Sequence, residues 1–477
     1  MKVTKVSRHI GRTSKTTIIS FKVAAVLTCL IFPLLQLLYE PNVVLAQSVN
    51  DPNLGVESFV EGLSSPTSMT FLDNENILVL EKEGQVRLVS NGELVPEPIL
   101  QIPVDTDSER GLLGIAVMNG SGTSSGPGPG QNASQTVFLY YTELGEGGEL
   151  RNRVYKYSLD GQTLGNPTLL VDLPAIPGPN HNGGKLMIGP DNYLYGVIGD
   201  LNHDGKLQNF PGGPDPDDTG IIFRVNPNDG TPAPDNPLST DPNNPLSKYY
   251  AYGIRNSFGL TFDPVTKNVW DTENGPASND EINLVKPGFN SGWQTIMGPI
   301  SASGSTEDEL VRFPGSHYAD PLLTWLDPIA VTDIEFLESS SLGESYSNNV
   351  FVGDNNNGNL YYFRMNPDRS AFVLDNLPDL VVDNEDEQSS LIFGEGFGPI
   401  ADLETGPDGY LYVLSHDDGI IYRIVPSSSA LSSSPTAGAD EPTSDMSPIE
   451  EQGQDDQAEE EDSTNDDNEN GNGNENN

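Results

Sequence analysis

The stretch GPDGYLYVLSHDDGIIYRIV, residues 406–425, reads as turn, strand, turn, strand. Gly-Pro-Asp-Gly makes the first turn, because proline presets φ and glycine accepts the positive values that a tight turn needs. YLYVL is apolar and aromatic throughout, as a strand covered on both faces would be, and IIYRIV follows a second Asp-Gly turn. The same phrase returns along the chain: LDNENILVLEKEGQVRLV (72–89), TVFLYYTE with NRVYKYSLDG (136–143, 152–161), GPDNYLYGVIGD with GIIFRVNPNDG (189–200, 220–230), DPVTKNVWDTENGPASNDEINLV (263–285) and SNNVFVGDNNNGNLYYFRMNPD (347–368). Strand pairs recurring every ~50–80 residues, with no helical period between them, describe four-stranded sheets repeated around an axis. The pattern predicts an all-β protein, a six-bladed β-propeller over residues 51–426, with runs such as Ile77–Leu80 and Tyr410–Leu414 in its interior. Two β-sandwich domains are the alternative, but a sandwich has no need to repeat one phrase so often.

Composition agrees with many turns: 49 Gly and 38 Pro stand among short apolar runs. A formal net charge of -47 argues against nucleic acid or an anionic membrane surface as partner. The N-terminus joins Lys2, Lys5, Arg8, Arg12, Lys15 and Lys22 to an apolar run from Val23 to Leu38, then Val44-Leu45-Ala46. A basic region, an apolar region and small residues at these offsets predict a signal segment over 1–46, cut after Ala46, or an uncleaved anchor within residues 16–38. The protein is then secreted or held at the cell surface. The only cysteine, Cys29, falls inside that segment, so a mature chain has neither disulfides nor thiol chemistry. Export also makes Asn119-Gly-Ser121 and Asn132-Ala-Ser134 candidate glycosylation acceptors. From residue 427 to 477 the chain is Ser-rich, then a run of Asp, Glu, Asn and Gly that cannot bury enough apolar surface to order, which predicts a disordered acidic tail.

Loops of successive blades converge on a propeller's axis, so residues far apart in sequence can share one site. The loops with chemistry-bearing residues are Ser108-Glu109-Arg110 before GLLGIAV, NHNGG at 180–184, GD at 199–200, YGIRNSFGL at 252–260 and ENGPASNDEINLVKPGFNSGW at 273–293. Asp200-Leu-Asn202-His-Asp204-Gly205 opens like an EF-hand loop, but its twelfth position is Pro211, where a bidentate glutamate is required.

In this order the five loops resemble the soluble quinoprotein glucose/sorbosone dehydrogenases, including the aldose sugar dehydrogenases that use pyrroloquinoline quinone (PQQ). The likeness runs from about Gly62 to Pro426. It implies a propeller with PQQ over the channel mouth and Ca²⁺ beside it, oxidising the anomeric C1 hydroxyl of a small-molecule sugar and passing electrons to an external acceptor. On that likeness His181 is the general base, a task suited to a group that titrates near neutral pH. Asp200 orients it, and Arg255 stabilises negative charge on the reducing quinone. Glu109, Asn256 and Asn274 are the remaining cofactor contacts. Gly275 and Pro276 provide carbonyl oxygens to a Ca²⁺, and Glu281 with Ser291 hold a second, as hard cations prefer oxygen ligands. One departure stands out. In the glucose-oxidising branch a lysine and an Arg-x-Arg pair from late blades hold the cofactor's carboxylates. Here those loops read Gly353-Asp354-Asn355-Asn356-Asn357-Gly358 and Gly396-Phe397-Gly398-Pro399-Ile400-Ala401-Asp402, with no basic residue. Two other readings compete: a cofactor-free propeller binding a glycan or protein, and a calcium-dependent lactone hydrolase with carboxylates and asparagines on a metal at the channel centre.

Overall fold

The structure is a computed structural model and describes residues 46–119, 135–145, 147–203, 209–210 and 215–427. The signal segment, Cys29, both glycosylation tripeptides in part or whole, the middle of the EF-hand-like loop and the acidic tail lie outside the described residues.

Among the described residues the strands form six sheets, and each of the six strand pairs quoted above is the central hairpin of a different sheet. The innermost strands, in chain order, are Pro66–Phe71, Leu112–Asn119, Leu186–Ile188, Ser257–Phe262, Val331–Phe336 and Ile400–Thr405. Each packs beside the next and the last against the first, so the sheets, numbered first to sixth in that order, close a ring. Closure is antiparallel: Leu54–Val60 from the N-terminal end completes the sixth sheet against Ile420–Pro426 at the other end. The protein is an all-β propeller.

The core explains why the strand runs are apolar on both faces. Successive residues of a strand point to opposite faces, and every sheet here lies between two others. Leu78 and Leu80 pack with Leu112, Val137 and Leu139 of the second sheet, while Ile77 and Val79 pack with Tyr412, Leu414 and Ile421 of the sixth. Phe351 likewise faces Leu403 and Leu411 while Val350 and Val352 face Trp270. Residues 77–80 are at most 2% exposed, and Leu411–Leu414 are buried as expected, with Tyr410 half-buried beside them. The α-helices among the described residues are short, Ile300–Ser303 and Glu385–Leu391.

The sheets differ from the expected four strands by holding between four and six. The largest excursion runs from residue 286 to 322, between two strands of the fourth sheet. It returns along the edge of the third, where Phe289–Asn290 pairs in parallel with Tyr249–Tyr252 and His317–Tyr318 pairs with Phe289–Asn290. That detour brings Trp293 back towards the axis.

Candidate active site

Two kinds of loop build one face of the ring. One enters each innermost strand and supplies Ser108 and Glu109, His181, Arg255 and Asn256, and Ala330. The other follows each second strand and supplies Lys82, Asp200, Asn274, Asn355 and His416. All but Asp200 of these line a single cavity of about 470 Å³ at the axis. Of the residues expected to act on substrate or cofactor, Glu109, His181, Arg255, Asn256 and Asn274 therefore share it.

His181 is held from every side. Its backbone is left-handed at φ 64°, a conformation costly for a residue with a Cβ, and its N–H donates to Glu109 Oε2 at 2.6 Å. The next residue, Asn182, is fully buried. It donates to the Pro179 carbonyl at 2.6 Å and accepts from Asn152 Nδ2 of the second sheet at 2.9 Å. Gly199 lets the loops touch: a Cβ there would lie 2.3 Å from the Arg255 carbonyl oxygen and 2.7 Å from that of His181. The ring's Nδ1 is 2.5 Å from Asp200 Oδ1. An ionised carboxylate only accepts, so Nδ1 carries the proton and Nε2 is left as the basic nitrogen. Asp200 is 1% exposed and is fixed in turn by Trp293 Nε1 on Oδ2 at 2.7 Å and by the Asn202 N–H on Oδ1 at 3.1 Å. This pairing commits Asp200 to the histidine rather than to an EF-hand ligand set.

Arg255 lies across from the histidine loop, its guanidinium 5.3 Å from the Trp293 ring centroid. Its N–H donates to Glu273 Oε1 at 2.6 Å and Nη1 to the Asn274 carbonyl at 2.8 Å. Burial lowers its pKa, opposed by Asp200, Glu273 and Glu109. Burial likewise raises Glu109, opposed chiefly by the His181 N–H. Arg255 Nε, Asn256 Oδ1 and Thr332 Oγ1 are buried with no hydrogen-bond partner, so the cavity wall presents two donors and an acceptor to an occupant.

The residues expected at calcium fall outside the cavity lining. Gly275 and Pro276 form a turn at its rim, where the Gly275 N–H donates to Asp280 Oδ1 at 2.9 Å and Pro276 is exposed. Glu281 and Ser291 lie deeper and meet at Glu273: Ser291 Oγ donates to Glu273 Oε2 at 2.5 Å, and Glu281 is the cross-strand partner of Glu273. Asp271, on the same strand as Glu273, is fully buried with neither carboxylate oxygen hydrogen-bonded. Burial pushes Glu273 up to about 7, and Asp271 and Glu281 well above the carboxylate range. Among the described residues no three His, Cys, Asp or Glu side chains already stand in metal-ligating geometry.

Reading the late loops alone missed the site's other cations. Lys185 reaches across the axis from the third sheet to Asp333 Oδ2 of the fifth at 2.7 Å and to Asp402 of the sixth. Lys82 lines the cavity from the first sheet, with Nζ on the Ser108 carbonyl at 2.6 Å. Lys82 could have been found by aligning the six repeats on the end of their second strand, which puts it level with Asn274, Asn355 and His416. An ammonium between two aspartates also occupies the channel centre, where a lactone hydrolase would place its metal.

A ring of sheets around a buried histidine–carboxylate pair defines the class as an all-β propeller with a polar site at its axis. The chain belongs to the Glucose / Sorbosone dehydrogenase family, whose model matches residues 63–423. It is similar to the aldose sugar dehydrogenase YliI of Escherichia coli, with 26% identity over 379 residues, covering 78% of this chain and 93% of the relative. Among solved structures, an oxidoreductase of Thermus thermophilus described as a glucose dehydrogenase superposes with a TM-score of 0.61 at 26% identity, over 78% of this chain and all of the other. The PQQ-bound form of an aldose sugar dehydrogenase from Streptomyces coelicolor shares the fold at a TM-score of 0.56 and 23% identity, over 78% of this chain and 99% of that one.

Proposed function

We propose that the chain is an exported, calcium-dependent quinoprotein that oxidises the anomeric C1 hydroxyl of an aldose, with PQQ as hydride acceptor and an external electron acceptor. Each of the six sheets serves as one blade, and the protein is secreted or tethered through residues 16–38. The observation that carries the reading is the His181–Asp200 pair opening on a cavity beside Arg255.

The residues present fit a planar anionic quinone. The cavity is large enough for one such molecule, and its wall offers Arg255 Nε, Asn256 Oδ1 and Thr332 Oγ1 without other partners. Glu109, Arg255, Asn256 and Asn274 would hold it. When bound, it supplies a two-electron oxidant, which no amino-acid side chain can. His181 Nε2 takes the hydroxyl proton as the C–H bond breaks, and Asp200 stabilises the imidazolium that results. Arg255, half-buried, provides fixed positive charge where negative charge develops. The Asp271–Glu273–Glu281 cluster supports a cation nearby, since three adjacent buried carboxylates, none in a side-chain ion pair, are costly unless protonated or metal-bound. Glu281 and Ser291 would contribute to it, and Gly275 and Pro276 to a site at the rim, with carbonyl oxygens completing either shell.

Protein titrated with the quinone, with and without Ca²⁺, should change its absorbance saturably and then reduce a dye when sugar is added. His181→Ala should lower the rate by at least ~100-fold while leaving quinone binding intact. Wild-type protein that takes up no quinone at micromolar concentration sinks the reading.

A further inference from the structure

We propose that Lys82 is a carboxylate anchor for the bound quinone, an anion contact supplied by the first sheet in place of the basic residues that the fifth- and sixth-sheet loops lack. The inference rests on the quinoprotein reading above and specifies which residue of this chain meets the cofactor's charge.

Position is the first argument. Lys82 is the residue that follows the second strand of its sheet, Asn76–Glu81. Asn274, Asn355 and His416 hold that place in the fourth, fifth and sixth sheets, and all four line the cavity. The side chain of Lys82 reaches from the first sheet to the entry loop of the second, at Ser108, while the sixth sheet flanks the first on its other side. His416 Nδ1 against the Pro66 carbonyl, 2.9 Å apart, ties the two together there. Lys82 and Arg255 stand on opposite sheets, the first and the fourth, so a flat molecule between them would meet a cation at each end.

Charge is the second. The chain has 70 Asp and Glu against 23 Lys and Arg, so a basic side chain that lines the cavity without an acidic partner is free to meet an anionic occupant. Lys185 is clasped by Asp333 and Asp402, and Arg87 by Glu81. Lys82 is not clasped. Its Nζ donates to the Ser108 carbonyl, which leaves two of its three N–H donors and its whole charge for an occupant. Arg255 also hydrogen-bonds a carbonyl, that of Asn274, with Nε unpartnered. PQQ carries three carboxylates, and two cations on a half-buried wall, neither in a side-chain ion pair, are what such a ligand needs.

The test is the affinity of the calcium-loaded full chain for the quinone, read by absorbance without sugar. Lys82→Met should weaken binding by ~10- to 100-fold, and Lys82→Arg should recover most of it. The trimethyl ester of the quinone should bind wild type and Lys82→Met alike. In wild type alone, affinity for the free acid should fall with added salt more steeply than affinity for the ester, a result that does not depend on any variant folding. If wild type binds and Lys82→Met binds the free acid as tightly, Lys82 is not an anchor and the quinoprotein reading survives. If wild type binds neither form, both fall.

Discussion

The first and fourth sheets stand opposite each other and use the same brace to different ends. In each, the last residue of the second strand is a buried glutamate that accepts an N–H from the loop entering the innermost strand: Glu81 from Ser64 at 2.8 Å, Glu273 from Arg255 at 2.6 Å. The surroundings differ at three equivalent places. Glu81 is paired across the hairpin with Gln85, and Val79 with Arg87; Glu273 is paired with Glu281, and Asp271 with Asn283. Arg87 Nη1 therefore compensates Glu81 at 3.0 Å, whereas Glu273 has two further carboxylates around it and feels Arg255 without a side-chain ion pair to it. One brace is a finished ion pair. The other is a deficit of positive charge beside the site, which a proton or a metal must fill.

The comparison breaks most readily at Arg87. Replacing it by methionine leaves Glu81 buried and uncompensated, and stability should fall by roughly 3–5 kcal/mol, as when one partner of a buried pair is removed. Glu281→Gln, which removes a buried charge instead, should leave the chelator-treated protein as stable as before or raise its melting temperature. Denaturant unfolding of the two variants decides this. If Arg87→Met costs no more than a surface change, the two sheets are not different in kind. Calcium comes next in size. Cation binding to the fourth sheet at a hundred times its dissociation constant should add ~2.7 kcal/mol. Glu281→Gln should lose most of that gain, while Arg87→Met, though weaker overall, should keep it. A calcium response that Glu281→Gln retains in full would move the metal elsewhere.

The two braces also mark how far the sequence could be read. Double-sided runs such as ILVL and YLYVL announce strands lying between neighbours, because a period of two leaves no polar face, and six such phrases announced six sheets. His181 and Asp200 were legible from the order of the loops. The contacts that were not legible cross the ring. Lys185 meets Asp402 over 217 residues and Trp293 meets Asp200 over 93, and only the assembled ring brings them together. Charge compensation was hidden for a subtler reason. QVRLV and DEINLV look equally like third strands, and only the register shows that Arg87 and Asn283 are counterparts.

The smallest effect concerns pH, and it discriminates between a proton and a metal as the missing charge. Glu273 is pushed up to about 7 from an ordinary 4.5, first by burial, against the Ser291 hydroxyl and the Arg255 N–H. Between those values the folded protein keeps a proton that the unfolded chain has released. The stabilisation is complete below about pH 4.5 and is lost as pH rises through 7. The shift alone sets a ceiling of about 3 kcal/mol, and because Asp271 and Glu281 share the burden with Glu273, about 1 kcal/mol is expected from Glu273 itself. In chelator, wild type should therefore lose stability from pH 5 to pH 8, and Glu273→Gln should lose less. Glutamine can still accept the Arg255 N–H, so the brace survives the substitution. With saturating Ca²⁺ the trend should flatten or reverse, because a bound cation favours the ionised carboxylates that a proton would otherwise neutralise. A calcium-independent slope would mean that protons alone fill the deficit of the fourth sheet.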